Sequence, residues 1–158
     1  GLNGVAAGAG MALAMACDTR LAAESAWLFP GYSRIGGSPD GGLSWTLPQV
    51  VGYEKAMRFL LENKRVDADE ALALGLIGEV VPDHQFQARF VEYCHSLTTI
   101  SPIAARLTKR VVREATKIDI ESQVRYELQT IGTAFASEDG KESRRAFLER
   151  RTPKIQGR

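Results

Sequence analysis

Chemistry could be carried by a glycine-rich segment near the start of the chain. Asn3–Met15 places Gly4, Gly8 and Gly10 among small apolar residues, just before a run of good helix formers. Glycine allows another atom to approach the main chain closely. The first N–H groups of a helix have no internal partner and lie at the positive end of its dipole. Amides at about positions 9–11 could therefore hold an oxygen that becomes anionic during a reaction, although a tight strand–helix contact without a ligand explains the glycines equally well.

A second glycine-rich segment, Ile35–Gly42, contains one acidic residue, Asp40. Its carboxylate is flanked by Pro39 and two glycines, so it is held stiffly and a substrate can approach it closely. Such a carboxylate can accept a proton or attack carbon. It can also cap a helix that begins near Gly41. The two roles are not mutually exclusive, and the local sequence leaves both open.

Short strands and helices must position these two segments. Asp67, followed by Glu70 three residues later and Gly75 after that, predicts a small capped helix. The elements predicted in the first half are a buried helix at Met11–Cys17, strands at Leu21–Ala23, Ala26–Phe29 and Leu76–Val81, and helices at Leu43–Val51 and Glu54–Asn63.

From Pro82 onward the pattern predicts helices alone. Ser101-Pro102 is typical of an N-cap followed by a proline in the first turn. Apolar residues recur at helical spacing and predict core or subunit contacts: Phe86, Phe90, Tyr93 and Leu97; Ile103, Leu107 and Val111; Ile120, Val124, Leu128, Ile131 and Phe135. The sequence therefore predicts an α/β part over residues 1–81 and a helical part over residues 82–158.

Composition places few constraints on function. The 158 residues suit one globular domain, and a net charge of +1 gives no reason to expect a nucleic acid partner. No apolar run is long enough to cross a membrane, and no signal peptide is recognisable. Cys17 and Cys94 lie on apolar patterns without CxxC spacing, which predicts buried free thiols in a reducing cytoplasm. Because the sequence opens at Gly1, inside a strand pattern, we expect it to be the later part of a longer chain.

The two histidines lie far from both glycine-rich segments. His84 follows Asp83 in a predicted turn, and His95 lies on a helix flank. A solvated or structural role is expected for both. No cluster has the spacing of metal ligands, so we expect no metal.

Four stretches carry a family resemblance: NGVAAGAGMALAMACD, IGGSPDGGLSWTLPQVVG, DADEALALGLIGEVV and FASEDGKESRRAFLERRTP. They resemble the enoyl-CoA hydratase/isomerase, or crotonase, superfamily over essentially the whole chain. The resemblance implies the latter part of a superhelix of ββα units, followed by an α-helical C-terminal region. It also implies homotrimers or dimers of trimers, and acyl-CoA thioester substrates with no further cofactor.

The resemblance also implies roles for individual residues. The thioester carbonyl would lie between two backbone N–H groups, of which the second belongs to Ala9 and the first to a segment outside this sequence. The residues expected by the same resemblance to contact the substrate are Gly8, Gly10, Tyr32, Pro39 and Gly41.

Two departures from the family pattern distinguish among activities. Relatives that hydrate enoyl-CoA carry two glutamates, at positions that match Ala12 and Tyr32 here. Neither residue can activate water at neutral pH, since an unperturbed tyrosine has a pKa of about 10. Asp40 matches the catalytic aspartate of relatives that shift double bonds. The resemblance therefore implies a 3-enoyl-CoA to 2-enoyl-CoA isomerase in fatty acid metabolism.

Two other functions stay open. Asp40 also matches the nucleophile of the 4-chlorobenzoyl-CoA dehalogenases, whose histidine would lie outside this sequence. Where that pattern has a tryptophan, eight residues before the aspartate, this chain has Tyr32. The third possibility is a non-catalytic relative that binds acyl-CoA or only assembles into oligomers.

The end of the chain is basic and could contact coenzyme A. Between Lys141 and Arg158 the basic residues exceed the acidic ones, which is typical of a solvated face or of a surface that binds phosphates. By resemblance, Arg150 matches a lysine that touches the nucleotide part of CoA. Ile131 stands where relatives place an aromatic residue near the adenine.

Overall fold

The computed structural model describes all residues, 1–158, as two compact units, Gly1–Val91 and Glu92–Arg158. The strands are β1 (Val5–Ala7), β2 (Leu21–Ala23), β3 (Trp27–Phe29), β4 (Val66–Asp67) and β5 (Glu79–Val81). The helices are α1 (Ala9–Ala16), α2 (Leu43–Val51), α3 (Tyr53–Glu62), α4 (Ala68–Leu74), α5 (Asp83–Thr98), α6 (Pro102–Glu114), α7 (Ile120–Ala136) and α8 (Glu138–Leu148). The predicted α/β class with a helical C-terminal region is confirmed.

The division between the units falls within α5, whereas the sequence pattern changes at Pro82. The roles assigned to residues 1–81 and 82–158, a ββα core and a region for oligomerisation and CoA contact, stay predictions. No helix combines the length and the apolar character that crossing a bilayer requires.

The strands of the first unit form two small sheets. In one sheet β3 lies between β1, to which it is parallel, and β4, to which it is antiparallel. In the other sheet β2 and β5 run parallel, with Leu21 opposite Glu79. The strand predicted at Leu76–Val81 is shorter than expected. Gly75 adopts a left-handed conformation (φ 80°), and the chain joins the sheet only at Glu79.

The predicted caps of α4 are confirmed. Asp67 accepts a hydrogen bond from the backbone N–H of Glu70 at 2.9 Å, and Gly75 ends the helix in the left-handed region. The Glu70 side chain forms an ion pair with Lys64 at 2.7 Å instead of reaching back to the cap. The local signal therefore fixed the helix ends correctly, while the partner of Glu70 depends on the preceding loop.

Arg20 connects the end of α1 to the segment that leads into β5. Its guanidinium donates to the carbonyl oxygens of Cys17 (2.6 Å), Ala14 (3.4 Å) and Leu76 (2.7 Å). Carbonyls at the end of a helix lack internal partners and carry partial negative charge, so a cation there is favourable. Burial lowers the pKa of Arg20.

The prediction that both cysteines are buried is wrong. Cys17 and Cys94 are free thiols and both are exposed. Cys17 follows the last residue of α1, where the chain leaves the helix in an extended conformation. Cys94 lies on α5, whose one buried residue is Phe86, so the apolar pattern around Cys94 does not face a core within this chain.

Side-chain caps begin the helices of the second unit. Ser101 caps α6 ahead of Pro102, as predicted, and accepts from the N–H of Ala104 at 3.5 Å. Asp119 caps α7, and Ser137 caps α8 by accepting from the N–H of Gly140 at 3.0 Å.

A buried carboxylate fastens the last residues of the chain. Asp139 is 1% exposed and accepts from the backbone N–H groups of Gln156 (2.7 Å) and Gly157 (2.8 Å), and from the hydroxyl of Ser101 (3.3 Å). A buried charge needs such partners. No local sequence signal marks Asp139 as buried, because its partners lie far away along the chain.

An ion pair near the end of the chain, between Arg151 and Glu142, should weaken in acid. Arg151 donates two hydrogen bonds to Glu142, at 2.6 and 3.1 Å, and these lower the pKa of Glu142 from 4.5 to about 2. Because the folded carboxylate has the lower pKa, its contribution to stability is present above pH 4.5 and is lost as the pH falls towards 2. We expect Glu142→Gln to lower the free energy of unfolding at neutral pH, and the difference from the native protein to vanish over that interval. Denaturant unfolding across the interval measures this, and a difference independent of pH would contradict it.

Candidate active site

The N-terminus of α1 is open and uncharged. Gly8 precedes the helix with φ 51°, and its N–H donates to the carbonyl of Phe29 in β3 at 3.0 Å. Ala9 and Gly10 are the first two helical residues and are exposed. Their N–H groups have no acceptor within the helix, and α1 has no acidic residue in its first turn. The two amides are therefore available to an oxygen of a ligand.

The second glycine-rich segment packs directly against α1. Gly41 has φ 58°, and a Cβ added to it would lie only 2.9 Å from the Cβ of Ala12. Only glycine fits this approach without strain. Ala12 is buried and follows Ala9 by one helical turn, so the contact brings the loop that carries Asp40 beside the first turn of α1.

Asp40 does not cap a helix, which corrects one of the two predicted roles. Gly42 is the N-cap of α2 and makes no side-chain cap bond. Only the main-chain oxygen of Asp40 contributes there, by accepting from the N–H of Leu43 at 3.0 Å. Two successive left-handed glycines, Gly41 and Gly42, separate Asp40 from the helix that it was expected to cap, and Gly42 takes the N-cap position. The carboxylate instead accepts from the hydroxyl of Tyr32, at 2.7 Å to Oδ1.

Tyr32 is a fixed donor in this pair. It begins a short 3₁₀ turn, Tyr32–Ile35, between the left-handed residues Gly31 and Gly36, and it is 9% exposed. Burial raises the pKa of Tyr32, and the hydrogen bond to Asp40 raises it as well. The phenol therefore stays protonated at neutral pH and donates to an exposed carboxylate. By resemblance, Tyr32 occupies a glutamate position of the hydratases and a tryptophan position of the dehalogenases, and it is expected to contact the substrate. Its hydrogen bond to Asp40 was not predicted, although the eight-residue separation across a turn bounded by glycines is a signal that could have indicated it.

Pro39 precedes Asp40 in the second glycine-rich segment and is half-buried, and two further predicted site residues lie in the second unit. Ile131 is half exposed and lines an apolar cleft of about 500 Å³ formed by α6 and α7. Arg150 is exposed and adopts a left-handed conformation (φ 53°) just after α8. Their predicted contacts with coenzyme A stay predictions.

Part of the basic segment is used within the protein. Arg151 pairs with Glu142 and Glu149, and Lys141 pairs with Glu138. The guanidinium of Arg144 lies 4.7 Å from the ring centre of Phe135. These three cations are occupied by local partners.

Several curated proteins are similar to this chain. A protein of Rhodobacter capsulatus named probable enoyl-CoA hydratase is 36% identical over 157 residues, which are 99% of this chain and 61% of that protein. The 4-chlorobenzoyl coenzyme A dehalogenase-1 of an Arthrobacter species is 32% identical over 130 residues, 82% of this chain and 47% of the other. The 1,2-epoxyphenylacetyl-CoA isomerase of Escherichia coli is 33% identical over 157 residues, 99% of this chain and 60% of the other. The chain thus spans about 60% or less of the length of these relatives.

The fold is also similar to that of solved structures. The crystal structure of the enoyl-CoA hydratase of Bacillus anthracis matches with a TM-score of 0.92 and 32% identity, over 98% of this chain and 60% of that one. The family model for enoyl-CoA hydratase/isomerase matches residues 1–158. This chain therefore belongs to the enoyl-CoA hydratase/isomerase family of enzymes.

Proposed function

We propose that the protein is an acyl-CoA double-bond isomerase that converts 3-enoyl-CoA to 2-enoyl-CoA, with Asp40 as the group that moves the proton. The observation that supports this most strongly is the position of Asp40. Its loop packs through Gly41 onto Ala12, one turn from the exposed amide of Ala9. A base and an oxyanion donor therefore lie on neighbouring segments, as proton abstraction beside a carbonyl requires.

The reaction needs only one carboxylate. Asp40 removes a proton from C2 of the substrate, the C2–H bond breaks, and its electrons form a C1–C2 double bond as the carbonyl electrons move onto the thioester oxygen. The N–H of Ala9 stabilises this dienolate oxygen. The protonated carboxyl then returns the same proton at C4, while the electrons move back to form the 2,3 double bond and the thioester carbonyl. Asp40 ends the cycle ionised, and no water is consumed.

Water addition has less support at this site. Two positions carry glutamates in hydratase relatives. Here they hold Ala12, which is buried against Gly41, and Tyr32, whose hydroxyl donates a hydrogen bond to Asp40. Neither can take a proton from water at neutral pH. Addition of water would require Asp40 to both activate the water and protonate the other carbon.

Substrate conversion by the intact protein tests the proposal. With 3-enoyl-CoA we expect the absorbance of the conjugated thioester to rise, without hydration of added 2-enoyl-CoA. Chloride release from 4-chlorobenzoyl-CoA, with an aryl adduct on Asp40, would instead identify a dehalogenase. Binding of acyl-CoA without either reaction would identify a non-catalytic relative.

The substrate of the proposed isomerase includes coenzyme A, which Arg150 would contact. We expect Arg150→Glu to weaken acyl-CoA affinity and to flatten its dependence on salt, because a cation near the phosphates becomes an anion. Arg150 is exposed, and its left-handed backbone is equally available to Glu, so the fold should be unchanged. Arg106→Glu, at an exposed position of α6, is the control for net charge. Equal affinities of the two variants at low ionic strength, measured by calorimetry, would assign Arg150 to a solvated face.

Assembly into a homotrimer or a dimer of trimers forms part of the proposal. Large apolar side chains are exposed on the helices of the second unit, and such surfaces mark interaction sites: Val112, Ile120, Val124, Leu128, Ile131, Phe135, Phe147 and Leu148. We expect the intact protein to sediment as a trimer or hexamer. A stable monomer at micromolar concentration would contradict this.

A further inference from the structure

The Tyr32–Asp40 pair combines a rigid donor with an exposed acceptor. The N–H of Gly31, just before Tyr32, donates to the side chain of Asn63 at 2.8 Å, and the carbonyl of Tyr32 accepts from the N–H of Gly37 at 2.9 Å. The backbone of Tyr32 is thus fastened on both sides and its ring is buried. Asp40 itself is exposed, and the one side-chain contact that orients its carboxylate is the 2.7 Å bond from the Tyr32 hydroxyl to Oδ1.

We propose that Tyr32 is a positioning residue, which holds Oδ1 of Asp40 and reserves Oδ2 for the proton that moves between C2 and C4. This inference rests on the proposed isomerase function. The terminal torsion angle of an aspartate side chain has a broad distribution, so a carboxylate on an exposed loop can rotate about it. A donor fixed at one oxygen sets the plane of the carboxylate and so directs the other oxygen. During turnover the C2–H bond breaks as Oδ2–H forms, and Oδ2–H breaks as C4–H forms, while Tyr32 keeps its own proton throughout.

The surroundings of Tyr32 support a role as donor alone. Its raised pKa keeps the phenol protonated at neutral pH. Neither α1 nor α2 contains an ionisable side chain, and Arg34 of the same turn lies 5.1 Å from the ring centre of Phe29. The ionisable residues of α3, which packs on the 3₁₀ turn, are all exposed. Asp40 is therefore the charged group that acts on the Tyr32 hydroxyl.

Turnover by Tyr32→Phe tests the positioning role. The variant keeps the ring and removes the donor, so we expect kcat to fall by about 10²-fold, as expected when a catalytic group loses its orientation. KM should change little, because Tyr32 acts through Asp40. Tyr53→Phe, at a position 74% exposed on α3, is the matched control and should leave kcat unchanged. Full kcat in Tyr32→Phe would overturn the role.

A double variant separates positioning from a general structural effect. If Tyr32 acts only through the carboxylate, Tyr32→Phe should lower the residual rate of Asp40→Asn no further. Equal losses in both backgrounds would assign Tyr32 to packing and overturn the inference.

The titration of Tyr32 gives a readout that needs no activity. The titration is followed by tyrosinate absorbance and identified by its absence in Tyr32→Phe. In Asp40→Asn the pKa of Tyr32 should fall towards its ordinary value, because the negative charge of Asp40, which disfavours tyrosinate, is removed while the amide oxygen can still accept from the hydroxyl. An unchanged pKa would overturn the pairing. A protein that shows this linkage but no isomerase activity would overturn the proposed function and the role of Oδ2. An active protein with full kcat in Tyr32→Phe would overturn the role of Tyr32 alone.

Discussion

Replacing Asp40 by asparagine should lower the rate of 3-enoyl-CoA isomerisation by about 10²–10⁴-fold, the usual loss when a positioned general base is removed. The amide has nearly the shape of the carboxylate, and its oxygen still accepts from the Tyr32 hydroxyl, but it cannot take a proton from C2. Affinity for acyl-CoA should change little, because the Ala9 amide and the predicted CoA contacts are retained. The rate of formation of the conjugated thioester, compared between native protein and variant, measures the effect.

The stability of the Asp40→Asn variant should be close to native, which makes the activity loss interpretable. Asp40 is exposed and its side chain caps no helix, so the change removes no cap. Asp69→Asn, at an exposed position in the first turn of α4, is the control for replacing an aspartate, and its activity should be native. Full isomerase activity in Asp40→Asn would falsify the mechanism, and an activity loss equal to that of Asp69→Asn would remove any special role of Asp40.

Features that depend on neighbours in sequence could be predicted well. The cap at Asp67, the end at Gly75 and the start at Ser101-Pro102 each rest on residues within a few positions of one another. The two glycine-rich segments were also identified, because few residues other than glycine adopt the left-handed backbone conformation found at positions such as Gly41. A helix N-terminus with bare amides follows from such local patterns, and Ala9 and Gly10 lie there as expected.

Features that depend on distant contacts could not be predicted in the same way. The apolar pattern around Cys94 indicates an apolar helix surface but does not indicate what packs against it. The Cys94 thiol is exposed in this structure. Asp139 follows a helix cap like many solvated aspartates, and its burial arises only when Gln156 and Gly157 return to it. The prediction that Asp40 caps a helix was wrong for a similar reason, because its carboxylate accepts a hydrogen bond from the hydroxyl of Tyr32 instead.

Gly140, in the first turn of α8, lies close to the backbone of the last turn of α7. A Cβ added there would clash with the carbonyl oxygen of Ala134, which belongs to the last turn of α7. Real Cβ atoms essentially never come within 3.0 Å of a heavy atom outside their own residue and its two neighbours in the chain. The obstacle is backbone, so no side-chain rotation relieves it. Only Ser137 separates α7 from α8, and its hydroxyl accepts from the N–H of Gly140 while donating to the same Ala134 oxygen at 2.7 Å.

We therefore expect Gly140→Ala to lower the free energy of unfolding by about 3 kcal/mol or more, at the upper end of the range for overpacking. The added methyl group must push α8 away from α7, which breaks both hydrogen bonds of Ser137 and displaces the neighbouring Asp139 from the partners that satisfy its buried charge. Gly132→Ala is the matched control, because position 132 lies within α7 with no atom within 4 Å of an added Cβ. Alanine there should stabilise the helix by up to about 1 kcal/mol. Denaturant unfolding of both variants measures the contrast, and similar stabilities would show that the helices separate without loss and that the tight approach at Gly140 is dispensable.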